Sequence, residues 1–210
     1  MPTAIHLTRK LDAINAMLIG IGEAPVNTLN SGLQEAEIAE ITLDNMSREV
    51  QSQGWTFNTD IRKTLVKLSS GKIPIPNNTL ELDTLLLKRN YNSDIIQRGG
   101  YLYDRTKNTD IFTADVVVDI VYLLAFEKIP EVARRYITLR AGRKFQEDSL
   151  GSDTMTQLQL KDEQAALFAL RNSDSQSADF NIFDEYDTYR ALDRGSSTSS
   201  LLKSQRILYS

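Results

Sequence analysis

Apolar residues recur at helical intervals near both ends of the chain and at alternate positions in its middle. Leu7, Leu11, Ile14, Leu18 and Ile21 step by four and three, which places them on one stripe of a helix over residues 7–19. Gly20, Gly22 and Pro25 end that helix in a turn. A second helix is expected over residues 32–53, with Ala36, Ala39, Leu43, Met46 and Val50 as its buried stripe. Ser31 and Gln34 have capping-box spacing at its start. Glu35, Glu37 and Glu40 lie early and Arg48 late, as the helix dipole favours, and Gly54 is the expected stop.

The period then changes. Trp55 and Phe57 alternate with polar residues, as do Leu80 and Leu82, and residues 64–68 and 116–124 are rich in β-branched side chains. Ile73 and Ile75 alternate with Pro74 and Pro76, which predicts an edge strand or an extended arm. Gly99-Gly100, between Ile95-Ile96 and Tyr101-Leu102-Tyr103, predicts a hairpin, and residues 108–110 another turn. Residues 55–127 therefore read as an antiparallel β unit of about four to six strands.

Helical spacing returns at Pro130, a favourable first helical residue. Ala133, Ile137, Ala141 and Phe145 share a stripe with Tyr136 beside it, while Arg134, Arg135, Arg140, Arg143 and Lys144 decorate the remaining face. Gly151 breaks this helix, and Ser152 or Asp153 caps another that runs to Arg171. Leu158, Ala165, Phe168 and Ala169 are its expected inward residues. Leu160, Leu167 and Leu170 make a second apolar row, and a second buried side in a small domain points to a partner subunit. Beyond the polar residues 174–178 the chain mixes aromatics with acids, passes through the low-complexity run 196–200 and closes on Leu201, Leu202, Ile207, Leu208 and Tyr209. This segment has the composition of an arm that orders against another surface.

Composition narrows the function classes. The chain has 210 residues, 41% hydrophobic and 25% charged, with a formal net charge of −4, which is globular and not suited to wrapping nucleic acid. With no cysteine, a thiolate metal site, a disulfide and a cysteine nucleophile are excluded. His6 is the single histidine, so a metal or triad role lacks its partners, and the hydroxyls of residues 196–200 have no base nearby. Gly20-Ile21-Gly22 follows a helix and lacks the third glycine of a dinucleotide loop. The early helix acids are explained by the dipole, whereas Asp184, Glu185 and Asp187 beside aromatics are the sole candidates for sugar chemistry. The basic run of residues 134–144 reads first as a solvated face, next as a surface pairing with the acidic second helix of a neighbour, and last as a DNA contact. No leader-like segment and no membrane-spanning apolar run is expected.

Three stretches carry a likeness. Residues 13–29 read A-I-N-A-M-L-I-G-I-G-E-A-P-V-N-T-L, residues 51–58 read Q-S-Q-G-W-T-F-N, and residues 98–106 read R-G-G-Y-L-Y-D-R-T. In this order and spacing, followed by the Pro-Glu helix start and the aromatic, basic helix of residues 127–145, they resemble the tail tubular proteins A of short-tailed phages (podoviruses). The likeness covers residues 7–172. Ala24 stands where relatives often carry a second proline.

The resemblance implies a structural virion protein, without enzymatic activity or cofactors. It implies a ring of about twelve copies joining the portal protein to the tail nozzle protein, tail tubular protein B, with tail fibres as further neighbours. Genomic DNA would pass through the channel without specific binding. The expected fold class is α+β: a four-helix bundle (1–54 and 129–175), an inserted antiparallel β platform (55–128) and an extended C-terminal arm (176–210). Phe180, Phe183, Tyr186, Leu201, Leu202 and Leu208 are the candidate partner-binding residues, and Glu35, Glu37, Glu40 and Asp44 the candidate lumen-facing ones. No catalytic or metal-binding residue is assigned. The expected location is the virion tail, with assembly in the host cytoplasm. Readings from other classes are a virion-borne carbohydrate-degrading enzyme and an assembly chaperone.

Overall fold

The computed structural model describes residues 6–83, 94–151 and 153–177, apart from the side chains of residues 150 and 153–158. The chain divides into two units, Met1–Asp174 and Ser175–Ser210. Of the second, only the last helical residues, 175–177, are described, and the architecture below is that of the first. Its class is α+β, as expected. The order is α1 (Lys10–Gly20), α2 (Gln34–Gln51), β1 (Thr59–Leu65), β2 (Thr79–Asp83), β3 (Ile95–Arg98), β4 (Tyr101–Asp104), β5 (Val116–Tyr122), α3 (Glu131–Leu150) and α4 (Asp153–Ser177).

Residues of all four helices meet in one core. It takes Ala13, Ile14, Met17 and Leu18 from α1, Ala36, Ala39, Leu43 and Val50 from α2, Ala133, Ile137, Ala141 and Phe145 from α3, and Ala166 and Leu170 from α4. The alanines let the helix axes approach, and the larger residues fill the space between them. A fully buried side chain such as Leu43 or Ile137 contributes about 2–3 kcal/mol. The stripes expected for α2 and α3 are the ones buried, except that Met46 is only partly covered. Leu7 is not part of α1 and is exposed.

Several local details depart from the sequence reading. The start of α2 has no side-chain cap: its N-cap is Leu33, and the Ser31 hydroxyl accepts from the Leu33 amide instead. Trp55 and Phe57 do not belong to a strand. The Asn58 side chain accepts from the Trp55 amide and closes a 3-10 turn over Thr56–Asn58. Pro130 is the N-cap of α3 and Glu131 its first helical residue. Gly151 ends α3 in the left-handed region at φ 61°, as its lack of a Cβ allows.

Helix α4 turns the other way from expected. Ala166 and Leu170 face the core with Leu167 partly buried, whereas Ala165, Phe168 and Ala169 are exposed. Both rows are apolar, so spacing alone does not say which one enters the core. The Leu158 side chain lies outside the described residues.

The β elements form two sheets. In one, β5 lies between β1 and β2, antiparallel to both; in the other, β3 pairs with β4. Their core is separate from that of the helices and contains Leu65, Ile73, Ile75, Leu102, Val116, Val118 and Ile120. The proline-flanked segment runs extended beside β4: the Ile75 amide donates to Gly100 at 2.9 Å and the Leu102 amide to Ile73 at 3.0 Å. Gly99 and Gly100 both have positive φ, 59° and 80°, as a two-residue hairpin turn requires. In β1 the register slips between Asp60 and Lys63, and Arg62 sits at φ 56° with its amide donating to the Asp119 carboxylate at 2.7 Å. A bulge of this kind bends an edge strand away from unwanted pairing.

Candidate assembly surfaces

The three motif stretches each close a local knot. In the first, the Asn15 amide group donates to the Val26 carbonyl at 2.9 Å and accepts from the Val26 amide at 2.8 Å, so the loop after α1 folds back on the helix. In the second, Gln51 is fully buried. It donates to the Ser47 hydroxyl and the Leu124 carbonyl, both at 3.0 Å, and accepts from the Leu124 amide at 2.8 Å. Asn58 donates to the carbonyls of Gln51 and Tyr122, at 2.9 and 2.8 Å, and the Trp55 indole donates to Val50 at 2.7 Å. Gln51 and Asn58 thus tie the end of α2 to the end of β5, and Trp55 packs in the helical core. In the third, the buried Asp104 carboxylate accepts from the amides of Thr106 and Lys107 and fixes the chain as it leaves β4. Buried polar groups satisfied in this way hold one geometry and no other.

The basic helix α3 is largely engaged within the chain. Arg134 is not on a solvated face: it is 5% exposed and donates to the carbonyl oxygens of Ile129 at 2.9 Å, Thr8 at 2.8 Å and Glu127. Arg140 pairs with Glu49 of α2, Arg143 with Glu163 of α4 and Glu147, and Lys144 with Asp148. The Glu163 carboxylate raises the pKa of Arg143 by hydrogen bonding to it, against a smaller opposing effect of burial. Arg135 is exposed without an ion pair among the described residues.

The acids of α2 fall on two flanks. Glu37, Glu40 and Asp44 follow one another at i, i+3 and i+7 on one side, and Glu35 stands on the other, because each residue turns the helix by about 100°. Lys10 of α1 reaches across to Glu40 at 2.8 Å and Asp44 at 2.9 Å. Burial opposes the charge of Lys10, but its hydrogen bonds to the two carboxylates outweigh it and raise its pKa. Between the flanks Ile38 and Ile41 are exposed. A cleft of about 340 Å³ opens beside this row, walled by Lys10, Asp44, Arg48, Leu124, Phe126 and Glu127.

His6 is exposed. Among the described residues no three His, Asp or Glu side chains are grouped to hold a metal ion, and no described helix is long and apolar enough to cross a membrane. The candidate partner-binding residues Phe180, Phe183, Tyr186, Leu201, Leu202 and Leu208, and the acids Asp184, Glu185 and Asp187, lie outside the described residues.

The profile of the tail tubular protein family matches residues 11–180. The chain belongs to the tail tubular protein family. It is 30% identical to tail tubular protein A of Klebsiella phage KP34 over 146 residues, 70% of this chain and 76% of that relative. The likeness read from the three motifs therefore holds at family level, and the matched span takes in all four helices and both sheets. Membership makes the chain a structural component of a phage tail.

Proposed function

We propose that this tail tubular protein is a ring-forming adaptor between portal and nozzle, and the conduit through which the genome leaves. One observation carries the reading. The outer row of α4, with Phe168 73% exposed between Ala165 and Ala169, is a second apolar face on a helix whose first face already fills the core. A large aromatic left open on a well-packed helix suits burial in an assembly.

In this reading residues 1–54 and 129–175 are a four-helix bundle carrying residues 55–128 as an inserted platform. The row Glu37, Glu40 and Asp44 faces the DNA path, where carboxylates repel phosphate and let the polymer slide; Glu35 stands off that row. Residues 176–210 dock on the portal through the apolar side chains named above. The free chain is monomeric and closes its ring on the portal.

Quantitative mass spectrometry of purified virions, with electron microscopy of portal particles mixed with the full chain, tests this. Ring stoichiometry in virions and rings on portals are expected. A chain absent from mature virions would establish an assembly chaperone instead. Removing residues 179–210 is expected to leave a folded core that no longer binds portals; undiminished binding would refute the docking role of that segment.

A further inference from the structure

The ring reading leaves open which surfaces neighbouring copies share, and two faces of the described chain match in chemistry. The first is the outer face of α2. Ile38 and Ile41, three residues apart, are 45% and 60% exposed. Glu35 and Glu37 stand beside them, neither in an ion pair among the described residues. Over its whole length α2 has five acids and one base.

The second is the outer face of the β3–β4 hairpin, where alternation puts Ile96, Arg98, Tyr101 and Tyr103 together. The Arg98 guanidinium lies 3.8 Å from the Tyr103 ring centre and has no carboxylate partner among the described residues. Lys72 lies 5.4 Å from the Tyr101 ring and is shared with Asp110 at 2.7 Å. Residues 94–107 hold three bases and two acids. A guanidinium stacked on a ring keeps its N–H donors at its edge, where a carboxylate can take them.

We propose that the outer face of α2 in one copy docks on the β3–β4 hairpin of the next. This rests on the ring reading and adds its lateral contact. Ile38 and Ile41 cover Tyr101 and Tyr103, and Glu35, which stands off the row that faces the DNA path, meets Arg98. Two different patches of one chain are used, so the contact is head-to-tail and propagates around a ring instead of closing a dimer. The charge is distributed to suit it: residues 1–54 hold seven acids and three bases, and residues 55–128 nine acids and ten bases. Another open apolar surface, the Phe168 row of α4, is a poorer match for an acidic face, because residues 159–177 hold three acids and two bases.

A charge exchange tests the docking. Full-length chains are mixed with portal particles and complete rings are counted by negative-stain microscopy, with circular dichroism confirming that each variant is folded. Glu35→Arg alone and Arg98→Glu alone are each expected to lower ring yield about tenfold, and the double variant, which restores an opposite-charge pair at every contact, to recover most of it. Because the chain has no cysteine, Ile41→Cys combined with Tyr101→Cys is expected to give under mild oxidation a covalent ladder in steps of 23.7 kDa, and either alone none. Unchanged single variants, a double variant no better than the singles, or rings without a ladder would overturn the docking while leaving the ring reading intact. Single variants that form normal rings but fail to recruit the nozzle protein would assign the hairpin to that partner and likewise overturn it. If the wild-type chain makes no rings on portals, the ring reading falls, and the docking with it.

Discussion

The Arg134 guanidinium donates to the Thr8 carbonyl oxygen at 2.8 Å across 126 residues of sequence. The same side chain holds Ile129 and Glu127, so one buried cation fixes the entry into α1 and the entry into α3 together. Arg134→Met leaves these carbonyls without their donor and is expected to lower unfolding stability by about 3 kcal/mol, since each unsatisfied buried group costs about 1–3 kcal/mol. Urea denaturation followed by circular dichroism measures this. Arg134→Lys should recover only part, because an ammonium cannot reach in three directions as the planar fork does.

Gln51→Leu keeps the volume at the junction of α2 and β5 but strips the amide and carbonyl of Leu124 of their partner. A loss of about 2–3 kcal/mol is expected, with the protein still folded. Stability equal to the parent would show that the junction does not depend on this side chain.

Gly71 has φ 83°, and a Cβ added there would stand 2.8 Å from the Ile111 side chain. Gly71→Ala combines a strained backbone with a clash and is expected to cost about 1–3 kcal/mol. Proton–nitrogen correlation spectra should show the shifts concentrated near residues 68–75 and 109–112, with the α1 and α2 resonances little changed.

The raised pKa of Lys10 gives stability a definite pH dependence. The ammonium is favoured in the folded chain, so its contribution is fully present below the ordinary lysine pKa of about 10.4 and is lost as pH rises through the higher folded value. Comparing the parent with Lys10→Met between neutral pH and pH ~11 isolates it: the stability gap between them should narrow as pH rises. A constant gap would show that Glu40 and Asp44 do not act on the charge.

Phe168→Ser removes an exposed aromatic from α4. The isolated chain should keep its stability to within about 0.5 kcal/mol, while assembly on portals weakens. Co-sedimentation with portal particles reads the second effect, and unweakened co-sedimentation would assign the open row no part in assembly.

The sequence was most legible where one face of a helix differed plainly from the other. The stripes of α2 and α3 could be read because Ala36, Ala39, Leu43, Ala133 and Ile137 recur against charged neighbours. The hairpin was legible because two adjacent glycines at positive φ suit little else. On α4 size misleads: Phe168 is larger than Leu167 and Leu170, yet those two leucines join the helical core while Phe168 and Leu160 stay exposed. Arg134, Gln51 and Asn58 escaped for a common reason. Polar side chains are assigned to the surface by default, and only backbone groups brought from remote positions make their burial favourable. The motifs carried these residues all the same, since Asn15, Gln51, Asn58 and Asp104 lie within the stretches that mark the family.

The central place of β5 in its sheet bears on how the chain acquires its shape. β1 and β2 touch β5 and not each other, so neither edge strand has a partner until residues 116–122 have been synthesised. The helices obey the same order, because α1 and α2 share a core completed by α3, whose first residue is Glu131. Both cores therefore close late, through contacts distant in sequence, and such closure is slow compared with the growth of local structure. A nascent chain halted before α3 would carry Leu43 and Ile14 uncovered, and the waiting strands would be open to pairing with one another's copies. During a burst of phage protein synthesis the yield of folded tail protein would then be governed by how quickly the second half of each chain follows the first.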